Sequence, residues 1–157
     1  MGSGRRTGGA ARARTDSLRH HLSAADRQFR ADFEFGRIAP EDFNHRAHVR
    51  LAYVLLAEHD AGAAIGLMRE ALQGFLGHHA IPAAKYHETL TRAWILAVHH
   101  FMAGSPGAES AEAFIDSNPQ LLDSKIMLTH YSAEVLFGPD ARTGFVEPNL
   151  SEIPRYS

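Results

Sequence analysis

Residues 43–56 read FNHRAHVRLAYVLL, in which apolar and histidine side chains recur at the spacing of one helix face. Successive positions on that face are His45, His48, Ala52, Leu55 and His59. A helix that begins after Asn44 therefore turns His45 and His48 toward the core. No stretch of the chain alternates at period two for long enough to suggest a sheet. We expect an all-α protein, a compact bundle of five or six helices with an extended C-terminal tail.

Capping and breaking residues divide the rest of the chain into further helices. The predicted helical segments run over about 23–36, 44–59, 63–77, 83–102, 108–116 and 120–130. A last turn is predicted from Ser132, and the chain from Glu147 onward is predicted to be extended because it contains two prolines. Residues 1–16 are predicted to be a disordered leader, and residues 17–157 a single helical domain.

Composition excludes several classes of protein. The chain has 157 residues and no cysteine, so disulfides, zinc–thiolate sites, iron–sulfur clusters and thiol catalysis are ruled out. No apolar run approaches the roughly 20 residues that cross a bilayer, and no signal-peptide pattern follows the N-terminus. We expect a cytoplasmic protein with no membrane partner.

Charge is distributed unevenly along the chain. The first 15 residues carry four arginines and no acidic residue. Subtracting these four positive charges from the net charge of −2 leaves −6 for the remainder. A basic, glycine-rich start favours a flexible leader, and an acidic body is not typical of a nucleic-acid surface. We therefore expect no nucleic-acid partner.

The chain contains 11 histidines, and histidine is the commonest metal ligand in proteins. The inward face of the segment over 83–102 is predicted to hold His87, Thr91, Trp94, Val98 and Phe101. Two helices separated by one other helix run parallel in a simple bundle, so His45, His48 and His87 would meet if their helices are neighbours. Three histidines and an open position are the minimum for catalytic iron, copper or zinc. Hydrogen-bonded histidines without a metal explain the same pattern equally well.

Three groups of residues follow from this hypothesis. The predicted metal ligands are His45, His48 and His87. The predicted catalytic residues are His48, His87, Tyr86 and Glu88, of which the last two flank His87 and could orient its second ring nitrogen. The predicted substrate pocket holds Phe43, Thr91, Trp94 and Tyr131, although Trp94 fits a core position better.

Other catalytic templates fail. The chain has His-x-x-His without the glutamate of zincin proteases, and it lacks the repeated Glu-x-x-His of di-iron bundles. It also lacks G-x-S-x-G, a Walker A motif and G-x-G-x-x-G. Serine hydrolases, nucleotide hydrolases and dinucleotide-dependent dehydrogenases are therefore disfavoured.

Four segments in this order resemble a family of small, uncharacterised, all-helical bacterial proteins. They are FNHRAHVRLAYVLL, KYHETLTRAWILAV, SNPQLLDSKIMLTHYSAEVL and ARTGFVEPNL. The family pattern is F-x-H-x-x-H, Y-H-E-T, Y-S-x-E-x-L and A-R-x-x-F-x-x-P-x-L, and it covers about residues 28–151. The resemblance implies that the matching positions are signature residues, namely Phe43, His45, His48, Tyr86, His87, Glu88, Thr89, Tyr131, Ser132 and Arg142. It implies no particular activity.

The first functional hypothesis is a small metal-dependent enzyme that performs oxidative chemistry on a small organic metabolite, with a divalent transition metal held by histidines. The second is a non-enzymatic module that binds a small molecule, with its core histidines hydrogen-bonded. A third is a helical interaction protein whose histidines are all satisfied internally. The partner expected from the first two is a small molecule, and a homodimer is compatible with any of the three.

Overall fold

The computed structural model describes residues 19–154, so the predicted leader over 1–16 lies outside the described residues. The α-helices are α1 Ala24–Glu34, α2 His45–Glu58, α3 Ala61–His78, α4 Glu88–Ala103, α5 Ala111–Ser117, α6 Ala133–Leu136 and α7 Pro139–Thr143. Short 3-10 turns span Pro40–Asp42, Ala83–Lys85, Pro119–Leu122 and Ser124–Thr129. Within the described residues there is no strand, only a bridge between His20 and Ala108. The predicted all-α class is confirmed.

Side-chain caps set the starts of the first three helices. The hydroxyl of Ser23 accepts from the backbone N–H of Asp26, whose carboxylate accepts from the N–H of Ser23, completing a capping box at α1. Asn44 caps α2 and Asp60 caps α3, each through a side-chain oxygen that accepts from the backbone three residues on. These boundaries agree with those predicted from the sequence to within two residues.

Helices α2, α3 and α4 pack against one another and form the centre of the molecule. Their facing residues Tyr53, Met68 and Ile95 are completely buried. Helix α1 packs across α2 and α3, where the ring of Phe33 stacks on Phe75 at a centroid distance of 4.8 Å. The sequence alone could not show that α2 and α4 are neighbours, and in the structure they are.

Two predicted helices differ from the structure. The segment over 83–102 is interrupted after the 3-10 turn Ala83–Lys85, because Tyr86 and His87 are extended and α4 begins only at Glu88. The segment over 120–130 is not an α-helix but two 3-10 turns, broken at Asp123, whose side chain accepts from the next turn's backbone. Its second residue, Leu121, is fully buried, which fixes this segment against the core.

No helix among residues 19–154 combines the length and the apolar character that crossing a membrane requires.

Candidate functional site

The segment Tyr86–Thr89 directs its side chains alternately to two sides. Tyr86 has φ −68° and ψ 141°, and His87 has φ −130° and ψ 103°, so the backbone is extended where α4 begins. Successive side chains of an extended backbone point to opposite faces. Tyr86 and Glu88 contact each other and α3. His87 and Thr89 instead contact the chain from α6 onward, residues 133–154, here named the C-terminal segment.

His87 uses both ring nitrogens inside the protein. Its Nδ1 accepts from the backbone N–H of Leu90 at 3.1 Å, which makes His87 the cap of α4. A nitrogen that accepts carries no proton, so Nε2 carries it and donates to the carbonyl of Leu136 at 2.8 Å. Burial lowers the pKa of His87, which keeps this neutral tautomer. The side chain ties the start of α4 to α6 and has no free nitrogen for a metal.

Tyr86, Glu88 and Arg69 form a connected polar group on the other side of the segment. The guanidinium of Arg69 donates two hydrogen bonds, of 2.9 and 2.6 Å, to the Glu88 carboxylate. The Tyr86 hydroxyl donates to the same carboxylate at 2.7 Å. The Arg69 pair holds the pKa of Glu88 below its usual value, and burial raises the pKa of Tyr86 to about 12. At neutral pH Glu88 is therefore ionised and Tyr86 protonated, so neither is suited to exchange a proton.

This polar group lines a cleft of about 770 Å³, here named the α3–α7 cleft. Its apolar wall is built by Leu76, Ile81, Ala83, Ala84 and Phe145. Its polar wall contains Arg69, Tyr86, Glu88 and Arg142. The cleft thus lies between the second half of α3, the 3-10 turn Ala83–Lys85 and the chain around α7. Its size and its few convergent polar groups are those of a small-molecule site.

The far wall of the α3–α7 cleft is fixed by hydrogen bonds from the core. The hydroxyl of Thr89 donates to the carbonyl of Gly144 at 2.9 Å and accepts from the N–H of Val146 at 3.0 Å. The hydroxyl of Tyr131, which is fully buried, donates to the carbonyl of Val146 at 2.6 Å. Phe145 lies between these two anchored residues, and the guanidinium of Arg92 sits 4.3 Å from its ring centroid. The wall is therefore held in place without a ligand.

Arg142 reaches across one end of the cleft from α7 to the 3-10 turn. Its Nη1 donates to the carbonyls of Ala84 at 3.3 Å and Lys85 at 3.4 Å, and both bonds are long. Within residues 19–154 no carboxylate forms an ion pair with this guanidinium. Among the described residues, the groups that face the charge of Arg142 are therefore neutral carbonyl dipoles.

His45 and His48 lie at the start of α2, apart from His87. The Nε2 of His45 donates to the carbonyl of Leu121 at 2.9 Å, and its ring packs 4.6 Å from that of Trp94 between centroids. Trp94 follows His87 by seven residues, which corresponds to roughly 10 Å along a helix axis. The start of α2 thus lies beside the middle of α4 rather than beside its first turn.

His48 sits against aromatic rings instead of facing a polar site. Its ring centroid is 5.8 Å from that of Phe43, which also contacts Phe75. Its Nε2 is buried and has no hydrogen-bond partner among residues 19–154. Burial lowers the pKa of His48 to about 4. The ring of His45, whose centroid lies 6.4 Å from that of His48, makes a smaller contribution. The imidazole is therefore neutral near pH 7.

The metal site expected from His45, His48 and His87 is not formed. Among residues 19–154 no group of three or more His, Asp or Glu side chains could hold a metal ion. The physical reason is twofold: His87 caps α4 with one nitrogen and bonds Leu136 with the other, and α2 is offset along α4. The predicted iron, copper or zinc cofactor has no ligand set in this part of the chain.

The predicted pocket residues are core residues in the structure. Trp94 and Tyr131 are buried, and Thr91 is buried with its hydroxyl donating to the carbonyl of His87 at 2.8 Å. Phe43 is partly buried and packs against both Phe33 and Phe75. None of the four lines the α3–α7 cleft. Of the predicted catalytic residues, Tyr86 and Glu88 line it, whereas His48 and His87 do not.

Sequence reasoning missed the arginines and the apolar wall of this cleft. Its α3 side is formed by Arg69, Gln73, Leu76 and Gly77. These positions are spaced i, i+4, i+7 and i+8, so the helical period already places them on one face. That face mixes charge, an amide and a leucine, which is unusual for either a solvent face or a core face. Arg142 had a signal only as a signature position of the resemblance.

Comparisons of the chain with models of protein families, with curated proteins and with solved structures gave no match. The resemblance to a family of small helical bacterial proteins is therefore untested and stays a prediction.

Proposed function

We propose that this protein is a helical module that binds a small molecule in the α3–α7 cleft. One observation carries the proposal: a cleft of about 770 Å³ joins an apolar wall to an ordered group of Arg69, Glu88 and Tyr86. Such a combination is typical of ligand sites, in which apolar surface supplies affinity and a few polar groups supply orientation. The anchored wall around Phe145 supports a site that exists before the ligand arrives.

Binding is favoured over catalysis by the state of the polar groups. Glu88 accepts three hydrogen bonds and stays ionised, while Tyr86 stays protonated and donates to it. A general acid or base needs a pKa near the working pH and a free position facing the substrate. Arg69, Tyr86 and Glu88 are better suited to hold a ligand group at a fixed distance than to move a proton.

The metal-dependent oxidative enzyme is the rival proposal, and it has less support. It requires His45, His48 and His87 to share one ion, and the ring nitrogens of His87 already serve the protein. The buried Nε2 of His48, which has no hydrogen-bond partner within the described part of the chain, is an observation in its favour. A single imidazole does not make a catalytic metal site, which takes about three protein ligands.

A fragment screen followed by amide shift mapping tests the binding proposal. Uniformly labelled protein is titrated with a mixed library of neutral, cationic and anionic fragments. We expect binders to shift the backbone amides of Gly77, Gly144 and Phe145, which line the cleft. The amides of Gly62 and Gly66, which lie on α3 outside the cleft, serve as internal controls. Binding confined to other surfaces, or no binding at all, would overturn the proposal.

A further inference from the structure

The charges on the wall of the α3–α7 cleft do not cancel. Arg69 and Glu88 neutralise each other through their paired contacts of 2.9 and 2.6 Å. Tyr86 is neutral, and Arg142 adds one positive charge that no carboxylate of residues 19–154 pairs with. The lining therefore keeps a net charge of about +1 at neutral pH.

Arg142 has donors to spare at the end of the cleft. A guanidinium carries five N–H groups in a planar fork that matches a carboxylate with two parallel bonds. Among residues 19–154 Arg142 bonds two acceptors, both carbonyls reached by Nη1, at 3.3 and 3.4 Å. A carboxylate at this position would form shorter, charge-assisted bonds than those carbonyls do.

The rest of the cleft lining is mostly apolar and complements a ligand with an apolar body. Leu76, Ile81 and Phe145 face the cleft, together with the small side chains of Ala83 and Ala84. Arg92 stacks on Phe145, so the ring is held as a fixed surface. A phosphate monoester carries close to two negative charges and needs more donors than one guanidinium offers. A single carboxylate fits the one unpaired positive charge better.

We infer that the ligand of the α3–α7 cleft is a monocarboxylate with an apolar body, and that Arg142 binds its carboxylate. This ligand class rests on the proposed function of the cleft. The body packs on Leu76, Ile81 and Phe145, while Arg69 remains committed to Glu88. The acid binds as its anion, and no bond is made or broken.

Four probes with one hydrocarbon body separate charge from shape: 4-phenylbutyrate, 4-phenylbutanol, 4-phenylbutylamine and 4-phenylbutyl phosphate. Dissociation constants are measured for each by amide shifts in the full chain. We expect the carboxylate to bind about tenfold more tightly than the alcohol, the size of one charge-assisted contact in a partly open site. The amine should bind more weakly than the alcohol, because its positive charge meets Arg142.

Substitutions of Arg142 locate the charge. R142Q should bring the ratio of the carboxylate affinity to the alcohol affinity close to one. R142K keeps the charge but loses the fork, so part of the preference should remain. The matched control is R46Q, because Arg46 pairs with Asp116 on an exposed surface outside the cleft. Thermal unfolding of each variant checks that the fold is kept.

The outcomes separate the inference from the function on which it rests. Equal binding of acid and alcohol, tighter binding of the phosphate, or an unchanged preference in R142Q would overturn the carboxylate while leaving the cleft a binding site. Failure of all four probes and of the fragment library would overturn the binding function, and the inference with it. Should R142Q unfold, R142K takes its place. A preference that is reduced in R142K supports the role of the guanidinium, and an unchanged preference overturns it.

Discussion

The Nε2 of His87 lies 2.8 Å from the carbonyl oxygen of Leu136, which joins the start of α4 to α6. The other ring nitrogen caps α4, so one imidazole supports two elements at once. Thr89, two residues later, anchors the chain at Gly144 and Val146 in the same way. These two residues hold the C-terminal segment against α4, and that segment supplies one wall of the α3–α7 cleft.

Substitution of His87 should separate its two structural roles. H87A removes both hydrogen bonds, and we expect it to lower the free energy of unfolding by about 1–3 kcal/mol. H87N should recover part of this loss, since asparagine is a good cap for a helix but is too short to reach Leu136. Urea unfolding measures both. Stability equal to that of the wild type in both variants would contradict a structural role for His87.

Stability should fall as the pH is lowered from about 6.5 toward 4. The folded-state pKa of His48 is about 4 and that of His87 is also lowered, whereas an unfolded histidine titrates near 6.5. In this window the unfolded chain binds more protons, so acid favours unfolding. The stabilisation is complete above about pH 6.5, and His48 alone contributes up to about 3 kcal/mol of the loss.

Urea unfolding between pH 7.5 and 4.5 measures this dependence. H48L removes one titrating group and should flatten the profile. The carboxylates of Asp26 and Glu88 have lowered pKa values, so their contribution is lost progressively only as the pH falls below about 5. An identical pH profile in wild type and H48L would show that His48 is not held neutral by burial.

Two glycines should respond in opposite directions to alanine. Gly74 lies within α3, and a methyl group there meets nothing within 4 Å, so G74A should stabilise the protein by about 0.5–1 kcal/mol. Gly36 has φ 73°, and a methyl group there would overlap the ring of His78. G36A should therefore destabilise the protein by more than about 1 kcal/mol. Thermal unfolding of the pair checks the local geometry at both positions.

Metal content distinguishes the two functions that the sequence favours. We expect purified protein to bind no stoichiometric iron, copper or zinc, because His45 and His87 direct ring nitrogens to the carbonyls of Leu121 and Leu136. Elemental analysis after incubation with each metal is the measurement. If the wild type instead binds one equivalent of metal that folded H48A and H87A do not bind, that result would support the hypothesis of a metal-dependent enzyme.

The sequence predicted the parts of this molecule that local rules determine. Ser23 and Asn44 mark helix starts because a short polar side chain caps the first backbone N–H groups of a helix. The helical period also assigned Leu55 and Val98 to inward faces, and both are buried. These signals depend on neighbours in the chain, and they were sufficient for the all-α class.

The candidate site could not be predicted in the same way. The inward face was read on the assumption that His87 lies inside a helix. In the structure His87 is the extended residue that caps α4, so its side chain does not follow the helical period. The offset of α2 along α4 depends on packing, and the partner of His87 lies 49 residues away. Tyr86 and Glu88 were singled out as neighbours of His87 but line a cleft on the opposite side. Long-range contacts of this kind leave no local signal.

Two phenylalanine substitutions on α3 test most directly whether the α3–α7 cleft binds a ligand. Gly77 lines the cleft and Gly74 does not, and a Cβ atom added at either position meets nothing within 4 Å. Both changes replace a helical glycine on the same helix, so their effects on folding should match. The dissociation constant of the tightest fragment is measured in both. We predict that G77F abolishes binding and G74F preserves it; equal affinity in the two variants would contradict the cleft as the site.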